Sequence, residues 1–184
     1  MKLPTAGDIK TIWKGWGRHI FTQTFTFPSG KTDEFFVFET LKKDRPVIVF
    51  PLTVEREVIA IRQFRFGAGE VVLELPGGVP KPYHRTPGDT LHDELMEETG
   101  YRPGRVVPLG ADWLWFEPAS LRVQYVPLLA LGCVFEKEPE PDPNEVIEVV
   151  KIPYTEWIEL IRRGEVRDDK SIALTFLASL HFGT

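Results

Sequence analysis

The stretch Thr86 to Tyr101, TPGDTLHDELMEETGY, constrains the fold more than any other part of the chain. It predicts a short helix with a marked start and a marked stop. Thr86 suits the N-cap, Pro87 the first helical position, and Asp89 stands where a capping box places its acid. Gly100 fits the left-handed position just past the end. Leu91 and Leu95, four apart, give the helix an apolar stripe to bury. Glu94, Glu97 and Glu98 are spaced three and four apart, so their carboxylates project from one side. Two readings of that ridge are open. It is a solvated acidic face, or it seats a divalent cation, for which hard Mg²⁺ or Mn²⁺ suits oxygen ligands.

The chain has 184 residues, 42% of them hydrophobic and 27% charged, enough for one domain with a sizeable core, with or without an N-terminal extension. Its net charge of −5 argues against a basic nucleic-acid surface. An anionic substrate therefore needs locally placed Arg, Lys or metal. A single cysteine, Cys133, excludes an internal disulfide and a cysteine zinc cluster; in LALGCVF it reads as a small buried hydrophobe. MKLPTAGDIK lacks the apolar core of a signal peptide, and no apolar run reaches membrane-spanning length. A cytoplasmic protein with neither membrane nor nucleic-acid partner is expected.

Read in order, residues 1–10 suggest a loose lead-in. FTQTFTF (21–27) alternates as a half-buried strand does, and EFFVFET (34–40) reads as its return across the turn at Pro28 to Lys31. So aromatic a hairpin exceeds what one core needs, and a surface packed on another subunit is expected. PVIVFPLTV (46–54), EVIAIRQFRF (57–66) and VVLEL (71–75) read as strands, the last ending at Pro76-Gly77-Gly78. Val106 to Leu109 and Trp113 to Phe116 read as extended, the aromatic run packing in the core. Val123 to Phe135 is a long strand which Pro127 marks as an edge or bulged one. EKEPEPDPN (136–144) is an acidic loop, followed by a strand from Val146 to Ile152. Two helices close the chain: one capped by Thr155 and ended by Gly164, and one started by Asp168 or Asp169, with Ile172, Phe176, Leu177 and Leu180 facing inward. The class is α/β or α+β with a mixed sheet. None of the four histidines shows metal-ligand spacing, and His84 is expected at the surface.

LPGG, a loop, and a helix ending DELMEETGY resemble the signature of the Nudix hydrolases, in which a Gly, five residues and a Glu are followed, seven residues on, by Arg-Glu-aliphatic-x-Glu-Glu-x-Gly-aliphatic. Glu94, Leu95, Glu97, Glu98, Gly100 and Tyr101 match it in identity, spacing and context. IRQFRFGAGEVVLELPGG, WFEPASLRVQYVPLLAL, NEVIEVVKIP and GEVRDDKSIALTFL are similar to successive parts of its ADP-ribose pyrophosphatase branch. The resemblance implies an α/β/α sandwich over residues 46–184, preceded by antiparallel strands in residues 1–45 that form a dimerisation region. It implies hydrolysis of a nucleoside diphosphate sugar, ADP-ribose foremost, to AMP and ribose 5-phosphate, using Mg²⁺ or Mn²⁺. Glu94 and Glu98 become the main metal ligands together with the Gly77 carbonyl, and Glu97 assists. Glu145 takes the place of the further acid that the branch carries on a loop. Arg62, Arg65 and Glu74 are candidate substrate contacts, the first on the opposite strand face from the other two.

Three positions depart from the signature. Val79 replaces the opening Gly, Arg85 the first Glu, and Asp93 the Arg. In the family that Glu and Arg commonly pair. Here both signs are reversed at the same separation, which predicts a charge-swapped Arg85–Asp93 bridge. Downstream, Glu117-Pro118-Ala119 replaces the usual Ser-Pro-Gly. These departures motivate an alternative, a catalytically weak or inactive module that binds a nucleotide without cleaving it; the intact Glu94, Glu97 and Glu98 argue against it.

Overall fold

A computed structural model describes residues 1–41 and 45–183. In chain order the elements are β1 (Thr5–Gly15), β2 (Arg18–Thr26), β3 (Thr32–Thr40), β4 (Val47–Thr53), β5 (Glu57–Arg65), β6 (Glu70–Glu74), β7 (Gly77–Gly78), α1 (Pro87–Thr99), β8 (Tyr101–Arg102), β9 (Arg105–Pro108), β10 (Leu114–Trp115), β11 (Leu121–Arg122), β12 (Gln124–Phe135), β13 (Ile147–Pro153), α2 (Tyr154–Arg162) and α3 (Asp169–Phe182). They gather into two compact units. One comprises residues 1–45 with 115–125, the other residues 46–114 with 126–184. The expected boundary after residue 45 adjoins residues 42–44, which lie outside the described residues.

The first unit is a sheet in the order β1-β2-β3-β11. Residues 5–10, expected as a loose lead-in, belong instead to an eleven-residue strand that pairs antiparallel with β2 from Thr5↔Thr26 to Gly15↔Arg18. Alternation is weak in TAGDIKTI because all but the last residue of β1 is exposed; pairing, not burial, makes it a strand. β2 and β3 pair in continuous register from Arg18↔Thr40 to Thr26↔Thr32. Trp115, expected in a core, is 42% exposed. It lines a pocket of about 390 Å³ with Phe25, Phe27 and Phe35.

The second unit is the sandwich. β12 runs parallel to β4 and antiparallel to β9, and β5 is antiparallel to β4, β6 and β13. Val47, Val49 and Ile59 pack with Leu91 and Leu95 of α1 on one face. On the other, Phe50 meets Tyr154 of α2, which meets Phe182 of α3. Both faces of β4 are thus covered, which explains its unbroken apolar run. β12 is not an edge strand. Pro127 sits opposite Ile48 while its carbonyl accepts the Leu109 N–H. The proline's nitrogen lies on the same side of the strand as its carbonyl, toward Leu109, so the ladder with β4 loses no donor. The irregularity falls at Gly132, whose φ of 62° lies where the register with β4 slips between Leu131 and Cys133. Cys133 is buried, and burial pushes its thiol up to about 12.

The last helix begins as expected. Asp168 accepts from the Ser171 N–H as N-cap. Its buried face is another matter: Ser171, Leu174, Thr175 and Ala178 are inside, while Ile172, Phe176 and Leu180 are exposed. The two polar residues are buried because each is satisfied. Ser171 Oγ donates to Asp168 and accepts from the Leu75 N–H, and Thr175 Oγ1 accepts from Trp157 Nε1 and donates to the Ser171 carbonyl. α2 starts at Tyr154, without the side-chain cap expected from Thr155. Among the described residues no helix is long and apolar enough to cross a membrane.

Candidate active site

α1 forms where its caps dictate. Thr86 Oγ1 accepts the Asp89 N–H while the Asp89 carboxylate accepts the Thr86 N–H, closing the capping box. At the other end Gly100 adopts φ 76° and its N–H reaches the Met96 carbonyl. A side chain there would also collide with the Lys137 carbonyl oxygen, 1.9 Å from an added Cβ, so Gly100 answers two requirements at once.

The helix then presents its acids to the end of β6 and to β7. Glu98 is 3% exposed and its Oε2 accepts the Gly77 N–H at 3.1 Å. Gly78 lies so close to Glu94 that an added Cβ would sit 2.1 Å from its carboxyl carbon. Glycine at 78 therefore makes room for the acid. Burial pushes the Glu98 carboxyl up to about 8, with the charges of Glu94 and Glu145 adding to it and the Gly77 hydrogen bond opposing. Burial likewise raises Glu94 to about 7; Lys81 opposes this, while Glu97 and Glu145 reinforce it. The structure thus brings Glu94, Glu98 and Glu145 within one another's fields, beside the Gly77 backbone. This donor set is all oxygen and carries surplus negative charge, which is what a hard divalent cation takes. Among the described residues, however, no three acidic, histidine or cysteine side chains converge closely enough to hold an ion as they stand.

Glu97 is engaged differently. Lys81 Nζ donates to both of its oxygens, at 2.5 and 2.6 Å. Burial alone would lower the Lys81 ammonium; the Glu97 hydrogen bonds and the charges of Glu97 and Glu94 outweigh it and hold it above the ordinary lysine value. Glu140, on the acidic loop, is tied by its backbone N–H to the Glu97 carbonyl at 2.8 Å.

On the neighbouring strands Arg65 Nε donates to Glu74 at 2.6 Å. Glu74 is buried, and burial raises its carboxyl despite the arginine. The Arg65 charge also reaches Glu98. Arg62 points from the opposite face of β5 and meets Glu148 across the sheet at 3.2 Å, apart from this group.

The expected Arg85–Asp93 bridge is not formed. Asp93 accepts from His84 Nε2 at 2.9 Å and from the Tyr83 hydroxyl at 3.2 Å; the His84 bond above all holds its carboxyl below the usual range. Among the described residues the Arg85 side chain makes no ion pair. His84, expected at the surface, has a side chain only 2% exposed. Its Nδ1 accepts the Lys81 N–H at 3.0 Å, so the ring hydrogen is on Nε2 and is donated to Asp93. One residue before Arg85, an imidazole does what a guanidinium was expected to do. Lys81 and Tyr83 are not legible in the sequence, and His84 reads there as a surface residue, because an irregular loop has no period from which to read direction.

With this geometry in place, likeness to known proteins becomes informative. The NUDIX domain model matches residues 42–174. The chain is 27% identical to the ADP-ribose pyrophosphatase of Bacillus subtilis (strain 168) over 161 residues, which is 87% of this chain and 84% of that protein. It is 31% identical to the GDP-mannose pyrophosphatase of Yersinia enterocolitica over 133 residues, 67% of each. An ADP compounds hydrolase of known crystal structure superposes with a TM-score of 0.85 at 17% identity, covering 100% of this chain and 96% of that one. The fold, the acid-bearing capped helix after β7 and the span of the domain match agree: the chain belongs to the Nudix hydrolase family.

Proposed function

We propose that the protein hydrolyses the pyrophosphate linkage of a nucleoside diphosphate sugar, with ADP-ribose as first choice and AMP and ribose 5-phosphate as products. The observation that carries this reading is the buried Glu98, held by the Gly77 N–H and kept protonated to unusually high pH by burial and by the charge of Glu94. Carboxyls so placed gain from a cation, and the pyrophosphatase names among the relatives point the same way. Glu94 and Glu98, with the Gly77 carbonyl, would hold Mg²⁺ or Mn²⁺, and Glu97 and Glu145 would stand nearby. Such an ion, when bound, polarises a phosphoryl oxygen and lowers the pKa of water.

The remaining roles belong to side chains. Arg65, oriented through Nε by the buried Glu74, keeps its terminal amino groups for a phosphate oxygen. Glu74 is thus a positioning residue. Glu145, on the loop before β13, is the candidate to take the proton of the attacking water. Arg62, paired with Glu148 on the far face, has the weakest claim on substrate.

A panel of nucleoside diphosphate compounds assayed with Mg²⁺ or Mn²⁺ tests the reading, with Glu98→Gln as control. Turnover of a nucleoside diphosphate sugar is expected, falling by about a hundredfold or more in the variant, as when one electrostatic group of a catalytic site is removed. Tight nucleotide binding without product at any metal concentration would instead identify a binding module.

A further inference from the structure

The loop between β7 and α1 is tied down at several points. The Lys81 backbone donates to His84 Nδ1 and accepts the His84 N–H at 3.0 Å, while the imidazole contacts Thr90 Oγ1 at 3.1 Å and Asp93 at 2.9 Å. These bonds fix the Lys81 backbone against the helix. The fold therefore delivers the Lys81 ammonium to one place, the Glu97 carboxylate, which it grips through both oxygens. Its charge also acts on Glu94, one turn back on the same ridge.

Three acids on one side of a helix need positive charge beside them, and here the chain supplies some itself. We infer that Lys81 is a tethered counter-cation which competes with a divalent ion for Glu97 and so sets the affinity of the acidic ridge for metal. This rests on the ridge being the cation site proposed above. An ammonium bonded to both oxygens occupies the bidentate edge of the Glu97 carboxylate, so a metal that takes both oxygens must first displace Lys81. Removing the ammonium removes a competitor rather than a ligand, and the affinity for metal should rise. A lysine that only held the loop would have the opposite effect or none, since slackening the loop cannot improve the site.

Mn²⁺ binding, followed without substrate by the paramagnetic resonance of the free ion, tests the inference. Lys81→Met should bind Mn²⁺ about twofold to fivefold more tightly than the wild type, the range expected on losing a partly exposed ion pair. Lys81→Arg, which keeps the charge, should stay close to the wild type. In a Glu97→Gln background Lys81→Met should have a smaller effect than in the wild type, because the shared carboxylate is gone and only the action of the Lys81 charge on Glu94 remains. Circular dichroism confirms folding of each variant, and Lys81→Gln replaces the methionine variant if that one does not fold. Equal or weaker binding in the charge-free variant, with the wild type binding normally, overturns the inference alone. Absence of Mn²⁺ binding in wild type and variants alike overturns it together with the reading of the ridge.

Discussion

The side chain of His84 is almost wholly enclosed and ties together three partners: a backbone N–H from the loop, and the Thr90 hydroxyl and the Asp93 carboxylate from the helix. Replacing it by alanine leaves the Lys81 N–H and Asp93 each short of a partner in a partly buried setting. That should cost about 1–3 kcal/mol of stability, the usual penalty for stranding such groups. Arg85→Ala should change stability by no more than about 0.5 kcal/mol, as expected for a surface position without an ion pair. Urea unfolding of the two variants decides between the bridge the signature suggested and the one the fold makes. Equal losses at both positions would mean that Arg85 carries weight the geometry does not assign to it. The reversed signs at residues 85 and 93 pointed to the right acid and to a partner one residue away from the real one. Spacing fixes which loop faces the helix, but not which of two adjacent loop side chains turns inward.

For α1 as an element, the caps and the acids pull in different directions. Thr86, Asp89 and Gly100 act through neighbours at most four residues away, which is why the ends of this helix were legible in sequence. The inward face of α3 was not. Ser171 and Thr175 are inside because Leu75, Asp168 and Trp157 provide hydrogen bonds there, and two of those groups, Leu75 and Trp157, come from other parts of the chain. Hydropathy alone cannot see a partner on another element. The acidic ridge carries a stability cost that depends on pH. In the unfolded chain Glu94 and Glu98 titrate near 4.5; in the fold they keep their protons to about 7 and about 8. Between those limits the folded state holds more protons than the unfolded state. Stability of the metal-free protein must therefore fall as pH rises through that interval and level off above it. Melting in chelator should show a decline of several degrees from about pH 5 to about pH 8, since about 1 kcal/mol moves a domain of this size by about 2–4 °C. Saturating Mn²⁺ should flatten the decline by stabilising the ionised acids. A metal-free melting temperature independent of pH would mean that the two carboxyls are far better solvated than their burial indicates.

At the scale of the whole molecule, the N-terminal sheet leaves an unbalanced account of apolar surface. β1 is the outermost strand in the order of its sheet, and Ile9, Ile12, Trp13 and Trp16 are exposed on it or at its turn, as are Phe35 and Phe36 of β3. An eleven-residue strand at a sheet edge exposes backbone donors and acceptors together with this apolar surface, and proteins generally cover or blunt such edges. A second copy is the simplest cover, because two-fold symmetry lets one strand meet its own counterpart antiparallel. The aromatic richness of residues 1–40 suggests a subunit contact in sequence, but the edge strand itself was not legible there, since residues 5–10 look unremarkable until β2 pairs with them. Light scattering should therefore give a mass twice that of the 21.0 kDa chain. Ile9→Glu and Ile12→Lys, made together, should shift the protein toward monomer while leaving its circular dichroism unchanged. A wild type that stays monomeric at high concentration would show that this sheet is covered by something other than a second copy, or is tolerated bare.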